Sequence, residues 1–219
     1  MAEHEPLGHS PRAVRIGRVR VGRDSQIGPF TVVGARYRRV SGRLLPSKPI
    51  TVIGRDCEIG SQVSILHGTS VGNRVSIDAG CAVEQNVEIG DDCRLIYHAI
   101  VCNGARIGKR AIIGGFVGER SEVGADSRVF GYLVHRQEDP AVAWDDQDED
   151  SPVLGDHVFV GFGAVIIGGV HVGRRSYVCA GAIVTKDVQE RQIVMGKDRS
   201  VAYSTSSSRL AKSRWFSDA

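Results

Sequence analysis

Histidine is the side chain best suited to accept a proton near neutral pH, and this chain of 219 residues contains seven of them. Four lie in an unpatterned polar start or in the last repeats described below, and they are predicted to be solvated: His4, His9, His157 and His171. Three remain as candidate general bases: His67, His98 and His135. What each of them could do depends on the elements that hold it in place.

Thiol-based metal binding has little support in the sequence. The chain has five cysteines, and no two are arranged as Cys-x-x-Cys, so the usual zinc pattern is absent. Cys57, Cys81 and Cys93 occupy one recurring place that holds a small side chain, so we expect them to be small buried residues. No metal site is predicted.

A six-residue repeat sets the elements that position the histidines. From Ile53 to Ile113 every sixth residue is aliphatic, and a small or β-branched residue usually stands four places after it. After a slip in register the series resumes at Val117, and a third block runs from Leu154 to Val184. Internal periodicity of this kind is typical of repeat architectures.

This period fits neither an α-helix, with about 3.6 residues per turn, nor a plain strand, with about two. It fits a short strand followed by a corner, repeated so that the chain winds into a prism with the aliphatic residues inside. We therefore predict an all-β solenoid in which each coil stacks on the next and buries a continuous core.

The order of an aliphatic residue, a glycine, two variable residues and a small residue resembles the hexapeptide-repeat transferases, over about residues 14–188. This resemblance implies a left-handed parallel β-helix with three hexads per coil, and a homotrimer with a groove between neighbouring subunits. The activity it implies is N- or O-acyl transfer, acetyl transfer above all, from acetyl-CoA or another acyl-CoA. The acceptor would be a small molecule such as an amino sugar, a sugar nucleotide or a natural-product intermediate.

His135 stands where the repeat breaks off before an acidic stretch, and the repeat resumes at Pro152. This layout resembles the galactoside, maltose and xenobiotic acetyltransferases, in which a catalytic histidine starts a loop. The resemblance gives His135 the role of general base. Glu138 or Asp139 could orient its ring.

His67 lies within the run ILHGTSVGN, which resembles the segment around the catalytic histidine of lipid A acyltransferases and amino-sugar N-acetyltransferases. His67 is therefore the alternative base. His98 is a third candidate, and its different place in the hexad predicts a different face of the prism. The residues alone leave the choice among the three open.

The last repeats, VGFGAVI from Val160 and VCAGAIVTKDV from Val178, resemble the coenzyme A-binding coils of the family. The resemblance assigns donor contacts to six residues: Gly163, Ala164, Gly181, Ala182, Lys186 and Arg174. The two glycines would let the pantetheine arm approach the backbone, and the two alanines would line it. Lys186 would meet a phosphate with the help of Arg174 or Arg175.

Two stretches interrupt the repeat, a basic one at 35–49 and an acidic one at 136–152. Loops of this length inside a solenoid are either functional or solvated excursions, and the sequence leaves both open. The predicted organisation is a flexible segment 1–12, a β-helix domain 13–199 and a C-terminal tail 200–219.

Two other functions are compatible with the predicted fold. A γ-type carbonic anhydrase would bind zinc through three histidines, but Ser61 and Gln62 stand where one is expected. A non-catalytic scaffold is the second alternative. The net charge of +3 does not favour nucleic acid as a partner, and no apolar run reaches the length of about 18 residues that a membrane helix needs. We therefore expect a cytoplasmic protein that binds neither.

Overall fold

The computed structural model describes residues 13–36, 48–136, 141, 150–203 and 215. Within these ranges the chain builds three sheets, and it contributes one short strand to each sheet in every coil. The predicted segment 1–12, most of both interruptions and most of the tail lie outside the described residues. No helix in the described part of the chain is long and apolar enough to cross a membrane.

The strands are numbered in chain order. Sheet A contains β1 (Val14–Arg15), β4 (Val32–Val33), β7 (Ser64–Ile65), β10 (Ala82–Val83), β13 (Ile100–Val101), β16 (Phe116–Val117), β19 (Tyr132–Val134), β22 (Val165–Ile167) and β25 (Ile183–Val184). Sheet B contains β2 (Val19–Val21), β5 (Thr51–Ile53), β8 (Ser70–Val71), β11 (Glu88–Ile89), β14 (Arg106–Ile107), β17 (Glu122–Val123), β20 (Val153–Leu154) and β23 (His171–Val172). Sheet C contains β3 (Gln26–Ile27), β6 (Glu58–Ile59), β9 (Ser76–Ile77), β12 (Arg94–Leu95), β15 (Ile112–Ile113), β18 (Arg128–Val129), β21 (Phe159–Val160), β24 (Tyr177–Val178), β26 (Gln192–Met195) and β27 (Arg199–Ala202).

Neighbouring strands in each sheet are parallel, as a solenoid requires, apart from the antiparallel pair β26 and β27 at its end. The aliphatic residues of the repeat fill the interior, where Ile53, Ile65 and Val83 are fully buried. Cys57 and Cys93 are buried beside them, so their prediction as small core residues is confirmed. The all-β solenoid is confirmed as well.

The slip in register has a structural cause in two shortened corners. Gly114–Gly115 joins β15 to β16 and Phe130–Gly131 joins β18 to β19, so each corner has two residues where the corner after β12 has four. A Cβ atom on Gly115 would lie 2.1 Å from the carbonyl oxygen of Gly131. Only glycine therefore allows the two coils to stack at this corner.

We name the three edges of the prism by the sheets that they join. At the A–B edge the chain passes from sheet A to sheet B, and the B–C and C–A edges follow in turn. Both interruptions leave from the A–B edge, the first between β4 and β5 and the second between β19 and β20. The described ends of both interruptions therefore lie on the same side of the molecule.

The last described strand extends past the predicted end of the domain. β27 runs to Ala202, beyond the predicted domain end at residue 199, and it pairs with β26. Trp215 lies edge-on to Phe159, with ring centroids 5.8 Å apart, and the Arg128 guanidinium lies 5.5 Å from its ring centre. At least this residue of the tail is anchored on sheet C.

Candidate functional site

Polar side chains form a buried column along the A–B edge. They stand two places after the inward aliphatic residue in successive coils, and they are His67, Gln85, Asn103, Glu119 and His135. The first four are buried and His135 is half-buried. At the other edges, Tyr97, Lys109 and Phe162 hold the corresponding places and are exposed. We call this set the polar column.

The ends of both interruptions rest against the polar column, which helps to explain its burial. The backbone N–H of Lys48 donates to Asn86 Oδ1 at 3.3 Å, and the Lys48 ammonium pairs with Glu88. The Ser151 hydroxyl donates to the backbone carbonyl of Glu119 at 2.5 Å. Residues that flank the two loops are therefore fixed to the edge.

His67 lies at the lower end of the column and is 8% exposed. Burial lowers the pKa of its imidazole, and the nearby Arg36 guanidinium lowers it further, while a hydrogen bond to the Gly34 carbonyl opposes both effects. Its Nδ1 atom is buried and has no hydrogen-bond partner among the described residues. Burial and Arg36 therefore favour the neutral imidazole of His67, and its Nδ1 atom is shielded from solvent.

Asn103 organises the middle of the column. Its backbone N–H donates to Glu84 Oε2 at 3.0 Å, and its side-chain Nδ2 donates to Glu119 Oε1 at 2.9 Å. The backbone N–H of Gln85 donates to Asn103 Oδ1 at 3.1 Å. Burial, and then the charges of Glu84 and Glu119, raise the pKa of the neighbouring Cys102 thiol, so this cysteine stays protonated and unreactive.

His135 lies at the point where the second interruption begins. It follows β19, whereas His67 follows β7, so four strand spacings of about 4.8 Å, or about 19 Å, separate them along the edge. The two histidines cannot act on the same atom within one chain. Glu138 and Asp139 lie outside the described residues, so their predicted contact with His135 stays a prediction.

A cleft of about 250 Å³ lies beyond His135 on the same edge. Its lining combines two cations, two carboxylates and small groups: Arg136, Asp150, Gly169, Val170, Thr185, Lys186 and Asp187. The Cβ atom of Asp150 lies only 2.7 Å from the position that a Cβ atom on Gly169 would take. The glycine corner thus admits the end of the second interruption at the wall of this cleft.

The corner that carries Lys186 is fixed by Asp198. The carboxylate of Asp198 accepts hydrogen bonds from the backbone N–H of Thr185 at 2.6 Å and from its hydroxyl at 2.7 Å. These two bonds lower the pKa of Asp198, so it stays ionised at neutral pH. Lys186 itself is exposed.

The other predicted donor residues lie on different edges. Gly163 and Gly181 form corners of the C–A edge with φ of 67° and 68°, and nothing stands within 4 Å of their missing Cβ atoms. The side chains of Ala164 and Ala182 point into the core and are fully buried, so only their backbone could touch a ligand.

Arg174 lies at the B–C edge, where its Nε donates to Glu190 Oε2 at 2.9 Å. Sheet B separates it from Lys186, so the structure does not bring these two cations together within one chain. His98 lies at the exposed C–A edge, with its ring over Gly80, which confirms that it occupies a different side from His67.

Glu84, Gln85, Asn103 and Glu119 were missed by the sequence reading. The sequence held a signal for Gln85, Asn103 and Glu119, because polar residues recur at one position of every third hexad, at the edge from which both interruptions leave. The sequence could not predict that these side chains are buried, because their burial depends on how the ends of the interruptions return to the edge.

Residues 50–85 and 151–186 match the family described as bacterial transferase hexapeptide (six repeats). These two segments carry the hexapeptide repeats of that family. The family match also gives the hand of the coil, which makes the fold a left-handed β-helix, and the predicted resemblance is confirmed. The hexapeptide repeats thus account for the three short strands and three corners of each coil.

Among curated relatives, the bifunctional protein GlmU of Aromatoleum aromaticum is 28% identical over 189 residues, which covers 85% of this chain and 36% of that protein. GlmU of Listeria monocytogenes is 42% identical over 50 residues, 23% of this chain and 11% of that protein. The hexapeptide-repeat chain therefore spans about a third or less of the length of these relatives.

Two solved structures share the fold. The UDP-N-acetylglucosamine acyltransferase of Francisella novicida superposes with a TM-score of 0.61 at 17% identity, covering 86% of this chain and 67% of that one. The enzyme of the same name from Campylobacter jejuni gives a TM-score of 0.57 at 16% identity, covering 88% and 73%. At this identity the likeness is one of fold.

Proposed function

We propose that this protein is an acyltransferase that moves an acyl group from a coenzyme A thioester to an amine or hydroxyl of a small acceptor, with His135 as the general base. The observation that carries the proposal is the polar column, which leads to a half-buried histidine beside a cleft with two cations. The transferase family match and the names of the two solved relatives support this class of reaction.

His135 suits the role of base better than His67 for two reasons. It is half-buried, so an acceptor can reach its ring, whereas His67 is 8% exposed and its Nδ1 is sealed. It also lies two strand spacings from Lys186, about 10 Å, whereas His67 lies six spacings away, about 29 Å. Lys186 and His135 therefore lie at the same end of the A–B edge.

A coenzyme A molecule is long enough to contact both groups of predicted donor residues. Gly181 and Lys186 begin and end one hexad, so five residues, or at most about 17 Å, separate them. Between them Ile183 is 41% exposed on sheet A and offers an apolar surface. A pantetheine arm would lie near Gly181 and Gly163, with a phosphate at Lys186.

The proposed reaction follows from this placement. His135 removes the proton from the acceptor as its nitrogen or oxygen attacks the thioester carbonyl carbon. The tetrahedral intermediate collapses with cleavage of the carbon–sulfur bond, and the thiolate of coenzyme A takes the proton from the imidazolium. The products are the acylated acceptor and the free thiol, so atoms and charge balance.

The acceptor class remains open between amino sugars, sugar nucleotides and natural-product intermediates. The names of the Francisella and Campylobacter enzymes make UDP-N-acetylglucosamine the first acceptor to test. The cleft beside His135 offers the carboxylates of Asp150 and Asp187, which could accept hydrogen bonds from the hydroxyls of a sugar.

The test is an acyl-transfer assay that follows release of the coenzyme A thiol with a panel of acyl-CoAs and these acceptors. We expect acceptor-dependent thiol release by the wild type, and a loss of roughly 100-fold or more in kcat for His135→Gln. His98→Gln is the matched control, because this histidine is exposed on another edge, and it should keep wild-type activity.

Two outcomes would contradict the proposal. If His135→Gln kept its activity while His67→Gln lost it, the base would be His67. If the wild type neither bound nor used any acyl-CoA, the scaffold alternative would replace the enzyme.

A further inference from the structure

Positive charge is concentrated at the end of the column where the chain begins. Residues 1–49 contain ten lysines and arginines and three carboxylates, a net charge of +7, whereas the remaining residues have a net charge of −4. The first coil, residues 13–30, has a single carboxylate and four exposed arginines, which are Arg15, Arg18, Arg20 and Arg23. We call these four arginines the basic rim.

The basic rim has no carboxylate partner among the described residues. The ion pairs within the described ranges all lie in coils above the first one. At the B–C edge, Arg74 pairs with Asp92 of the next coil at 2.6 Å. Arg23 lies at the same edge but beneath Arg55, so like charges are stacked there. The rim is therefore a charged surface that the described part of the fold leaves unneutralised.

The arginines of the basic rim surround the open end of the column. β1, β2 and β3 are the end strands of sheets A, B and C, and no described strand lies below them. Arg15 belongs to β1 and Arg20 to β2, while Arg18 lies at the A–B edge and Arg23 at the B–C edge. One coil is only one strand spacing deep, about 4.8 Å, so all four side chains can contact a single plane below the end. This arrangement suits a flat, anionic partner.

The same coil also exposes apolar side chains. Val14 and Ile16 are 50% and 46% exposed. Ala13, Val19 and Val21 pack against the core from the open end and are only partly buried. A nucleic acid would neutralise the arginines through its phosphates but would offer little to these aliphatic groups. A bilayer with anionic headgroups provides both a charged plane and an apolar layer beneath it.

We propose that the first coil is a docking surface for an anionic lipid bilayer, on which the column stands end-on. The basic rim contacts lipid phosphates, and Val14 and Ile16 enter the boundary between headgroups and acyl chains. Such a contact needs no spanning helix. It therefore replaces the expectation, drawn from the lack of a long apolar run, that the protein has no membrane partner.

The docking surface is separate from the proposed acyl-transfer site. In sheet A, six strand spacings separate β1 from β19, which precedes His135, so about 29 Å lie between the end of the column and this histidine. Bilayer binding leaves the proposed site clear of the membrane. The inference thus goes beyond the proposed function and does not depend on it.

The test is co-sedimentation of the full chain with vesicles of phosphatidylcholine containing about 30% phosphatidylglycerol, at about 0.1 M salt. We expect the wild type to bind these vesicles and not vesicles of phosphatidylcholine alone. Arg18→Gln together with Arg20→Gln should lower the partition coefficient about 25-fold, because each basic residue near an anionic surface contributes a factor of about five. Ile16→Ser should cause a smaller loss, about threefold, since it removes part of the apolar contact.

A matched control removes the same charge from another part of the column. Arg94→Gln together with Lys109→Gln changes two exposed cations, on sheet C and at the B–C edge of central coils, and should bind within about twofold of the wild type. Salt at about 1 M should release the wild type, because the Debye length then falls to about 3 Å. This second measurement requires no variant, so a misfolded variant cannot leave the proposal undecided.

Three results would overturn the docking surface. The first is a wild type that does not bind anionic vesicles, and the second is an equal loss in both double variants, which would reflect net charge alone. The third is binding of duplex DNA through Arg18 and Arg20 without binding of vesicles, which would assign the basic rim to nucleic acid. Each of these results leaves the proposed acyl transfer untouched, since the assay measures no turnover.

Discussion

At the scale of single residues, the burial of His67 makes the stability of the fold depend on the protonation of this side chain. Its ring sits under the start of the first interruption, and its backbone N–H donates to the Ala35 carbonyl at 2.8 Å. Burial and the Arg36 charge both disfavour the imidazolium. Protonation of His67 therefore opposes the folded state.

The stability of the protein should fall as the pH is lowered from about 7 to about 5. The pKa of His67 is lower in the folded chain, so the unfolded chain binds the proton first, and unfolding takes up a proton in this window. Urea midpoints at several pH values should decrease in the wild type and change less in His67→Gln. His98→Gln, on the exposed C–A edge, should keep the wild-type slope.

The aspartates of the B–C edge act in a lower window. The Arg74 and Arg110 guanidinium groups lower the pKa values of Asp92 and Asp126. Their contribution is present at neutral pH and is lost only below about pH 4, where the unfolded carboxylates take up protons. A midpoint that stayed constant between pH 7 and 5 would therefore contradict the assignment to His67, and the aspartates could not conceal it.

The sequence predicts inward residues better than site residues at this scale. The six-residue repeat alone predicts that Ile65 lies in the core, because each short strand points its aliphatic residue of the repeat into the prism. The burial of His67 and Glu119 depends on loops that leave the coil and return to it, and no period describes such loops. For a related reason the sequence did not show that Lys186 and Arg174 lie on different edges of one chain, since a short spacing in sequence spans two edges of the prism.

At the scale of elements, the corners decide how the coils stack. Gly115 and Gly181 are both corner glycines of the C–A edge, but they differ in what surrounds them. A Cβ atom on Gly115 would meet the backbone of the next coil at 2.1 Å, whereas one on Gly181 would meet nothing within 4 Å. Gly181 is instead constrained by its φ of 68°.

These two glycines should therefore respond differently to alanine. Gly181→Ala should cost about 1 to 2 kcal/mol, the strain of a left-handed backbone at a residue with a Cβ. Gly115→Ala should cost about 3 kcal/mol or more, because the clash is with backbone that cannot move without displacing a coil. Urea unfolding of both variants measures the difference, and equal losses would show that the shortened corner tolerates a wider separation of coils.

At the scale of the whole molecule, the three sheets present different outer surfaces. Sheet A is largely apolar, with Ile100, Tyr132 and Ile183 at 40%, 49% and 41% exposure, while sheet B carries the ion pair between Arg106 and Glu122. An exposed apolar face of this extent marks a contact surface. Sheet A is therefore the face through which copies of the chain would assemble into the trimer that the family resemblance implies.

Assembly through sheet A leads to a prediction that joins oligomeric state to donor binding. Native mass measurement should show three chains for the wild type, and Ile100→Glu should give single chains, because it places a charge in the middle of the apolar face. Arg94→Glu, an exposed position on sheet C, is the matched control and should leave the trimer intact.

Ile100 lies far from Lys186 along the axis, since four strand spacings of about 4.8 Å separate β13 from β25. A weaker affinity of the Ile100→Glu chain for coenzyme A would therefore reflect the loss of a groove between copies, and unchanged affinity in a single chain would mean that each copy carries a complete donor site.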